Sequence, residues 1–540
     1  MPQGVLFTVA ISSASFVAGA SIVLSAPPPD GPPPITSIAR SADQLVLTWP
    51  AIAKGAFLEG TEGLRSSSAW ATLIPSISQA GTQTVATIPL EKETQFFRLR
   101  SGPSLEDFWS GKAAWVSDAG GLGHSFGFHA LSIIRGGDAL WAYYIHNYTV
   151  GGRNKSATGR ARSLDGVTWT DDSVVVDVGG AAPWVYQSEA QPYHATGQAE
   201  GDGWSASPSL NQPNFLVYGP YATNIPAGQN SAKFELMIDQ HIGANDRVAA
   251  IEVVDSAASQ FLARKEIHRN DFQADQTYQG FALFFTSQAG QKLEFRTYWY
   301  GAAYIKEDFV GVAQGWTAFW DDRIASFSSI WKDGDTYYLV YEGAGEDIPA
   351  FPGDIGLATS TDGRNFIKHP SNPILQHNLT GWENGNIGTP SLYKTNGVWF
   401  LFYHGFDGNR ANVGVASGSS LTSLTKYPGN PVLAVAPGTW DSGAVGKRST
   451  IYQDGAYFYA AYEGSTDPPF DAARWSTGLA RSTDLIHWEQ YINGNIIPQT
   501  ASSYGYDAPE LVRIAGSWYL YVRMSFDPEA PTARYRLVPQ

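Results

Sequence analysis

The sequence contains no cysteine. That absence excludes disulfides, thiolate zinc sites and a cysteine nucleophile. Charge is sparse too. Asp, Glu, Lys and Arg make up 16% of 540 residues, and the acids outnumber the bases to leave a net charge of −15. An acidic surplus argues against a protein that tracks phosphates, so no nucleic-acid partner is expected. After the first 26 residues no apolar run is long enough to span a bilayer. Glycine is plentiful at 56 residues, as are Trp at 18 and Tyr at 27. Low charge with much glycine and aromatic surface is the composition of an extracellular all-β protein. The length allows several domains, each with a core of its own.

Val5 to Ala26 is apolar, rich in small residues and ends in Leu-Ser-Ala. It resembles a signal-peptide core, although no Lys or Arg precedes it. Its Ser, Gly and Ala content argues against a lasting membrane anchor. Composition and the missing cysteine together set the expectation of a secreted or periplasmic protein. Residues 27–35, Pro-Pro-Pro-Asp-Gly-Pro-Pro-Pro-Ile, read as a stiff linker. Gln44 to Trp49, Thr84 to Ile88 and Gln95 to Arg100 then alternate as short strands, which predicts a small β-sandwich over residues 36–101. Leu-Thr-Trp-Pro followed later by Phe-Phe-Arg-Leu-Arg resembles the fibronectin-type-III-like modules of bacterial secreted enzymes, which implies a spacer without chemistry.

Beyond residue 105 the chain repeats itself. One unit reads Trp320-Asp-Asp-Arg, then Ser329-Ile-Trp-Lys-Asp-Gly-Asp-Thr-Tyr-Tyr-Leu-Val-Tyr-Glu342-Gly343. The next reads Trp382-Glu-Asn-Gly, then Ser391-Leu-Tyr-Lys-Thr-Asn-Gly-Val-Trp-Phe-Leu-Phe-Tyr-His404-Gly405, at an offset of 62 without a gap. Trp440-Asp-Ser-Gly with Ser449 to Gly464 follows the pattern. So do Asp507 to Arg523 and, first in the chain, His129 to Ile145. Each unit is a strand, a tight glycine-bearing turn and an aromatic strand. A third strand follows in Ile355-Gly-Leu-Ala, Val413-Gly-Val-Ala and Thr477-Gly-Leu-Ala. The turns Ser163-Leu-Asp-Gly, Ser360-Thr-Asp-Gly and Ser482-Thr-Asp-Leu resemble the sialidase Asp-box, one residue shorter, and read as staples between units. Four strands per unit and five units predict an all-β, five-bladed β-propeller over residues 106–184 and 313–540.

Residues 185–312 interrupt the repeat with alternating strands of their own and predict an inserted jelly-roll β-sandwich. Tyr186-Gln-Ser-Glu-Ala190, Phe234-Glu-Leu-Met-Ile-Asp and Ile305-Lys-Glu-Asp-Phe-Val310 resemble carbohydrate-binding modules of families 6 and 35. The resemblance implies a structural calcium at Glu189 and Asp308, ions of this kind taking oxygen ligands.

In a propeller the start of each first strand and the end of each second strand share one face. Here polar residues occupy both. Asp321, Asp322, Glu383, Asp441 and Asp507 precede first strands, with His124 in the register of Asp321. Glu342, His404, Glu463 and Arg523 end second strands where the pattern calls for an apolar residue. Lys447 and Arg448 begin one first strand and His129 another. Two carboxyl groups across a sugar, one protonated and one ionised, are what glycoside hydrolysis needs. The candidates for acid and base are Asp322, Glu342, Glu383, Asp441, Glu463 and Asp507. His124, His129, Trp320, Arg323, Trp382, His404, Trp440, Lys447, Arg448 and Arg523 are the candidates for binding substrate or tuning these acids.

The Trp-Asp lead, the aromatic strand ending Tyr-Glu-Gly and the Gly-Leu-Ala third strand are similar to those of five-bladed propeller glycosidases, a superfamily that includes glycoside hydrolase families 43, 32, 68, 117 and 130. In family 43 the resemblance implies an Asp base from the first blade, a tuning Asp from the second and a Glu acid from the third. Asp321 or Asp322 and Glu383 match the last two. The first blade has no carboxylate at the matching place, only Asp118 upstream, so the base stays unassigned. The leading expectation is a secreted glycoside hydrolase acting on a poly- or oligosaccharide, with no cofactor required for its reaction. The alternatives are a non-catalytic carbohydrate-binding or adhesion protein and a phosphate-dependent glycoside phosphorylase.

Overall fold

The computed structural model describes residues 37–41, 44–50, 57–61, 71–72, 76–80, 83–89, 96–100, 102–122, 128–136, 139–150, 153–179, 182, 184–315, 319–345, 353–466, 475–497, 507–514, 516–524 and 532–540. The signal-like segment and the proline-rich linker lie outside the described residues. Nearly every element is a β-strand. Among the described residues the one α-helix is Leu105–Trp109, started by a capping box of Ser104 and Asp107. No helix among them is long and apolar enough to cross a membrane.

Each repeat unit forms an antiparallel sheet, numbered here first to fifth in chain order. The first holds Ser132–Gly136, Ala139–Val150, Arg153–Ser163 and Thr170–Val176. The second holds Ile324–Asp333, Thr336–Ala344, Asp354–Ser360 and Ile367–Lys368. The third holds Asn386–Thr395, Val398–Phe406, Ala411–Gly418 and Thr425–Lys426. In the fourth, a first strand split into Ala444–Arg448 and Tyr452–Asp454 pairs with Tyr457–Ser465, followed by Trp475–Ser482 and Trp488–Gln490. The fifth takes Asp507–Ile514, Ser517–Arg523 and Thr532–Pro539 from the end of the chain. Its outermost strand is Ala113–Leu122, from well upstream. Residues 106–184, expected to form one unit, therefore supply strands to two sheets.

The first strands touch in cyclic order, first to second, second to third, third to fourth, fourth to fifth and fifth back to first. Side chains from four of the five sheets tie this ring. Ser132 Oγ accepts the Ile330 N–H at 3.2 Å, and Ser329 Oγ accepts the Leu392 N–H at 3.0 Å. Ser391 Oγ donates to Ser449 O at 2.9 Å. In the fifth sheet the same register position is Glu510, whose longer side chain reaches both neighbours. It accepts from Ile133 N at 2.9 Å, Thr450 N at 2.9 Å and Thr450 Oγ1 at 2.7 Å. Burying these groups is favourable only because each finds its partner. The Ser-Asp turns act as staples. Gly363 O accepts from Tyr143 Oη at 2.7 Å, and Gly166 O accepts from Tyr521 Oη at 2.7 Å.

Between the first and second sheets, residues 184–314 form two further sheets around a single core containing Phe234, Leu236, Ile251, Val253, Phe281 and Trp299. The opening strand Trp184–Gln187 pairs with the closing strand Ile305–Gln314, so the segment leaves and rejoins the ring at one place. Upstream, Gln44–Pro50 buries Leu45, Leu47 and Trp49 on one face, the period of two that the sequence shows.

Candidate active site

Each first strand breaks register with its partner just inside one end of the ring. The residue at the break has a left-handed backbone in four sheets: Ala130 (φ 50°), Phe327 (φ 50°), Thr389 (φ 42°) and Ala508 (φ 46°). Bulges of this kind re-aim backbone groups and the side chains beside them. Here they bring two residues per sheet to the end of the ring. The pairs are Ser326 with Glu342, Gly388 with His404, and Asp507 with Arg523. Gly446 with Glu463 and His129 with Ile145 occupy the same places in the fourth and first sheets.

Glu342 and His404 meet above Gly388. A Cβ on that glycine would overlap Glu342 Oε2 and stand 2.8 Å from His404 Cε1. Glu342 Oε2 accepts the bulge N–H of Thr389 at 2.9 Å. Burial pushes its carboxyl up to about 7, against the Thr389 N–H and the charge of Arg323. His404 Nδ1 lies 2.8 Å from Thr389 Oγ1 and Nε2 lies 3.2 Å from Asn386 Oδ1. Burial lowers this imidazole to about 4, so it is neutral at physiological pH.

Glu463 repeats the arrangement of Glu342. Its Oε2 accepts the bulge N–H of Ala508 at 2.7 Å, and its Oε1 accepts Lys447 N–H at 2.8 Å. A Cβ on Gly446 would stand 2.5 Å from Oε1, so any larger residue would displace the Glu463 carboxyl. One residue from Ala508, the Asp507 carboxylate takes both arms of the Arg523 guanidinium, with Nε to Oδ1 at 2.8 Å. Burial raises both acids, and each opposes ionisation of the other. Arg523 favours the charge on Asp507, which leaves Glu463 as the member that keeps a proton. Beside these, Ala130, Ile145, Ala508 and Phe327 form one apolar cluster.

The structure places other sequence candidates elsewhere. Lys447 Nζ lies buried beside the carbonyls of Leu131 at 3.2 Å, Pro509 at 3.4 Å and Arg448 at 3.5 Å, where it is bonded to backbone while its charge favours ionisation of Glu463 and Asp507. Arg448 points between the third and fourth sheets, against Trp488 (3.9 Å to the ring centroid) and Phe402 (4.7 Å). Glu383 and Asp441 pack beside Gly405 and Gly464, on the faces of their second strands opposite His404 and Glu463. Glu383 pairs with Lys426, and Asp441 accepts from Tyr462 Oη at 3.1 Å and Gln490 Nε2 at 2.8 Å. These acids, with Asp321 held by Tyr341 and Lys368, lock the lead segments to their sheets. Trp320, Trp382 and Trp440 lie against Tyr341, Tyr403 and Tyr462 at centroid distances of 5.9, 6.0 and 5.5 Å, as packing for the sheets.

Asp322 bonds outward, to Lys233 Nζ of the inserted segment at 3.3 Å. Arg323 is exposed. Asp118 lies in the outermost strand of the fifth sheet and holds Arg534, so it cannot stand in for a first-sheet base. His124 lies outside the described residues. In the inserted segment, burial and the Asp202, Glu235 and Glu189 carboxylates push Asp308 up to about 6. Glu189 and Asp308 supply two carboxylates, but among the described residues no three ligating side chains gather. That is fewer than the six to eight oxygens calcium takes, so the side chains alone do not make its cage.

Thr389, Asn386, Glu510 and the pair Asp354–His377 are absent from the sequence-based candidates. A signal for the last was available in the repeat, where Gln376-His377 aligns with Ala434-Val435.

No protein-family model and no curated protein matches the chain. Solved structures do resemble it, and glycoside hydrolases stand among these neighbours. A BT0996 RGII complex is 13% identical over 81% of this chain and 95% of that one, with a TM-score of 0.44. A glycoside hydrolase is 12% identical over 81% and 95%, with a TM-score of 0.41. A glycosyl hydrolase from Bacteroides ovatus is 10% identical over 80% and 92%, with a TM-score of 0.39.

Proposed function

We propose that the ring of sheets is a five-bladed β-propeller and that this chain is a secreted glycoside hydrolase, its inserted segment a jelly-roll module that holds saccharide near the mouth. One observation carries the reading: three buried carboxyl groups, Glu342, Glu463 and Asp507, stand at one end of the ring, and one of them, Asp507, is paired with Arg523. Glu463, kept protonated beside an Arg-paired Asp507, is suited to protonate a leaving glycosidic oxygen. Asp507 or Glu342 in its ionised form is suited to activate water or to meet the anomeric carbon. Asn386, its Oδ1 beside neutral His404, is suited to offer its amide nitrogen to hydroxyls. A phosphate-dependent reaction has less support, because Lys447 Nζ is bonded to three carbonyls, Arg448 is buried against Trp488 and Phe402, and Arg523 is engaged by Asp507. The low charge and aromatic richness support an extracellular setting.

The test is a product assay of the purified chain on aryl glycosides and on plant, algal and bacterial polysaccharides, with and without phosphate. Free sugar supports the hydrolase reading, and Glu463→Gln should then lower kcat by about 100- to 10,000-fold with the fold intact. Release only with phosphate identifies a phosphorylase. Retention on a polysaccharide without product identifies a binding protein.

A further inference from the structure

The repeat contains its own control for one position near the mouth. The third strand of the second sheet begins at Asp354, which pairs with Gly343, next to Glu342. In the third sheet the same place is Asn412, paired with Gly405, next to His404. Both side chains close a loop by accepting a backbone N–H. Asn412 Oδ1 accepts from Val435 at 2.9 Å, and Asp354 Oδ1 accepts from His377 at 2.7 Å. An amide and a valine therefore satisfy what the fold requires here. The second sheet has a carboxylate and a histidine instead, and makes a further bond, from the His377 ring Nδ1 to Asp354 Oδ1 at 2.8 Å.

That bond orients the ring. A carboxylate that accepts from Nδ1–H leaves Nε2 as the second, outward-facing nitrogen. The His377 side chain is 14% exposed, and no group among the described residues meets Nε2. The segment is pinned from the other side by Lys426 Nζ, which bonds Gln376 O at 2.6 Å while paired with Glu383. The residue before the pair adjoins the mouth. A Cβ on Gly353, the residue before Asp354, would stand 3.2 Å from Glu342 Oε1 and 3.5 Å from Asn386 Cβ.

We propose that His377 is a substrate-binding residue at the rim beside Glu342, its Nε2 meeting a hydroxyl of the saccharide in the mouth, and that Asp354 is the residue that positions it. The proposal rests on the reading of the mouth as a saccharide site. It explains why two residues depart from a pattern the fold meets more simply one sheet away.

The test borrows the residues of the third sheet. His377→Val and Asp354→Asn keep the backbone bond that closes the loop, so each should unfold at the temperature of the parent protein. Binding is measured by calorimetry in a Glu463→Gln background, with the oligosaccharide that the parent protein retains or cleaves. His377→Val should weaken binding about tenfold, the effect of one lost hydrogen bond. Asp354→Asn should weaken it by less, and nitrogen NMR of the ring should show the Nδ1–H form of the parent giving way to a mixture. Saccharide bound equally well by His377→Val overturns the proposal and leaves the mouth as a saccharide site. No saccharide bound by the parent overturns both. A large fall in unfolding temperature in both variants would make the pair a structural tie and overturn it as well.

Discussion

Asp507 and Arg523 face each other as register partners in the first two strands of the fifth sheet, and their carboxylate–guanidinium pair is buried. Among the described residues no other sheet carries a full charge pair at this place. The pair sits beside Glu463, and Arg523 favours the charge on Asp507 against the effect of burial.

Arg523→Gln should therefore act on stability and on chemistry together. Removing one partner of a buried pair typically costs about 3–5 kcal/mol, because the other charge stays buried. Asp507 would then take up a proton more readily, and the ionised member of the Glu463–Asp507 pair would be lost. Denaturation at neutral pH should show the instability, and it should shrink as acid protonates Asp507. Unchanged stability at neutral pH would mean that solvent reaches Asp507.

Glu342 binds its proton more tightly in the folded chain, where its pKa is about 7, than at its ordinary value of 4.5. Folding therefore takes up a proton between these values. The group's contribution to stability is full below about pH 4.5 and is lost as pH rises through about 7. Glu342→Gln cannot ionise. Relative to the parent it should gain on the order of 3 kcal/mol between about pH 4.5 and 8. His404 works in the opposite sense: its lowered pKa favours the fold above about 6.5, and that contribution is lost on acidification through about 4. Urea denaturation of both proteins across this range separates the two groups.

Gly388→Ala should abolish turnover without replacing an acid. The new methyl overlaps Glu342 Oε2 and crowds His404 Cε1. Both side chains must move, and Glu342 must leave the Thr389 N–H. A structure of the variant should show Glu342 displaced while the inner strands keep their register. Full activity would remove Glu342 from the mechanism.

Glu510→Ala should loosen the ring where its two ends meet. Three donors, from Ile133 and Thr450, lose their acceptor, and Lys447 loses a neighbouring charge. Unsatisfied buried donors cost about 1–3 kcal/mol each, so the loss should reach about 3 kcal/mol or more. Ser391→Ala breaks a single tie and should cost about 1 kcal/mol.

The repeated strands, the glycine-bearing turns and the polar residues ending second strands were readable because they are local. A strand alternates its faces, so Glu342, His404, Glu463 and Arg523 in one register had to share one end of the sheets. The same pattern is silent on how the chain closes its ring, because Ala113–Leu122 meets Thr532–Pro539 across most of the sequence. It is silent too on the lead acids. Glu383 and Asp441 stand only a few residues ahead of the mouth, yet the outermost strands hold them through Lys426 and Gln490 on the opposite face. Lys447 reads as a mouth residue until the ring turns it toward three carbonyls, two of them from other sheets. Alternation and turns follow from the backbone of neighbouring residues. The charge state of a buried carboxyl, and the partner that holds it, depend on which distant segments pack against it, and packing is decided by the tertiary fold.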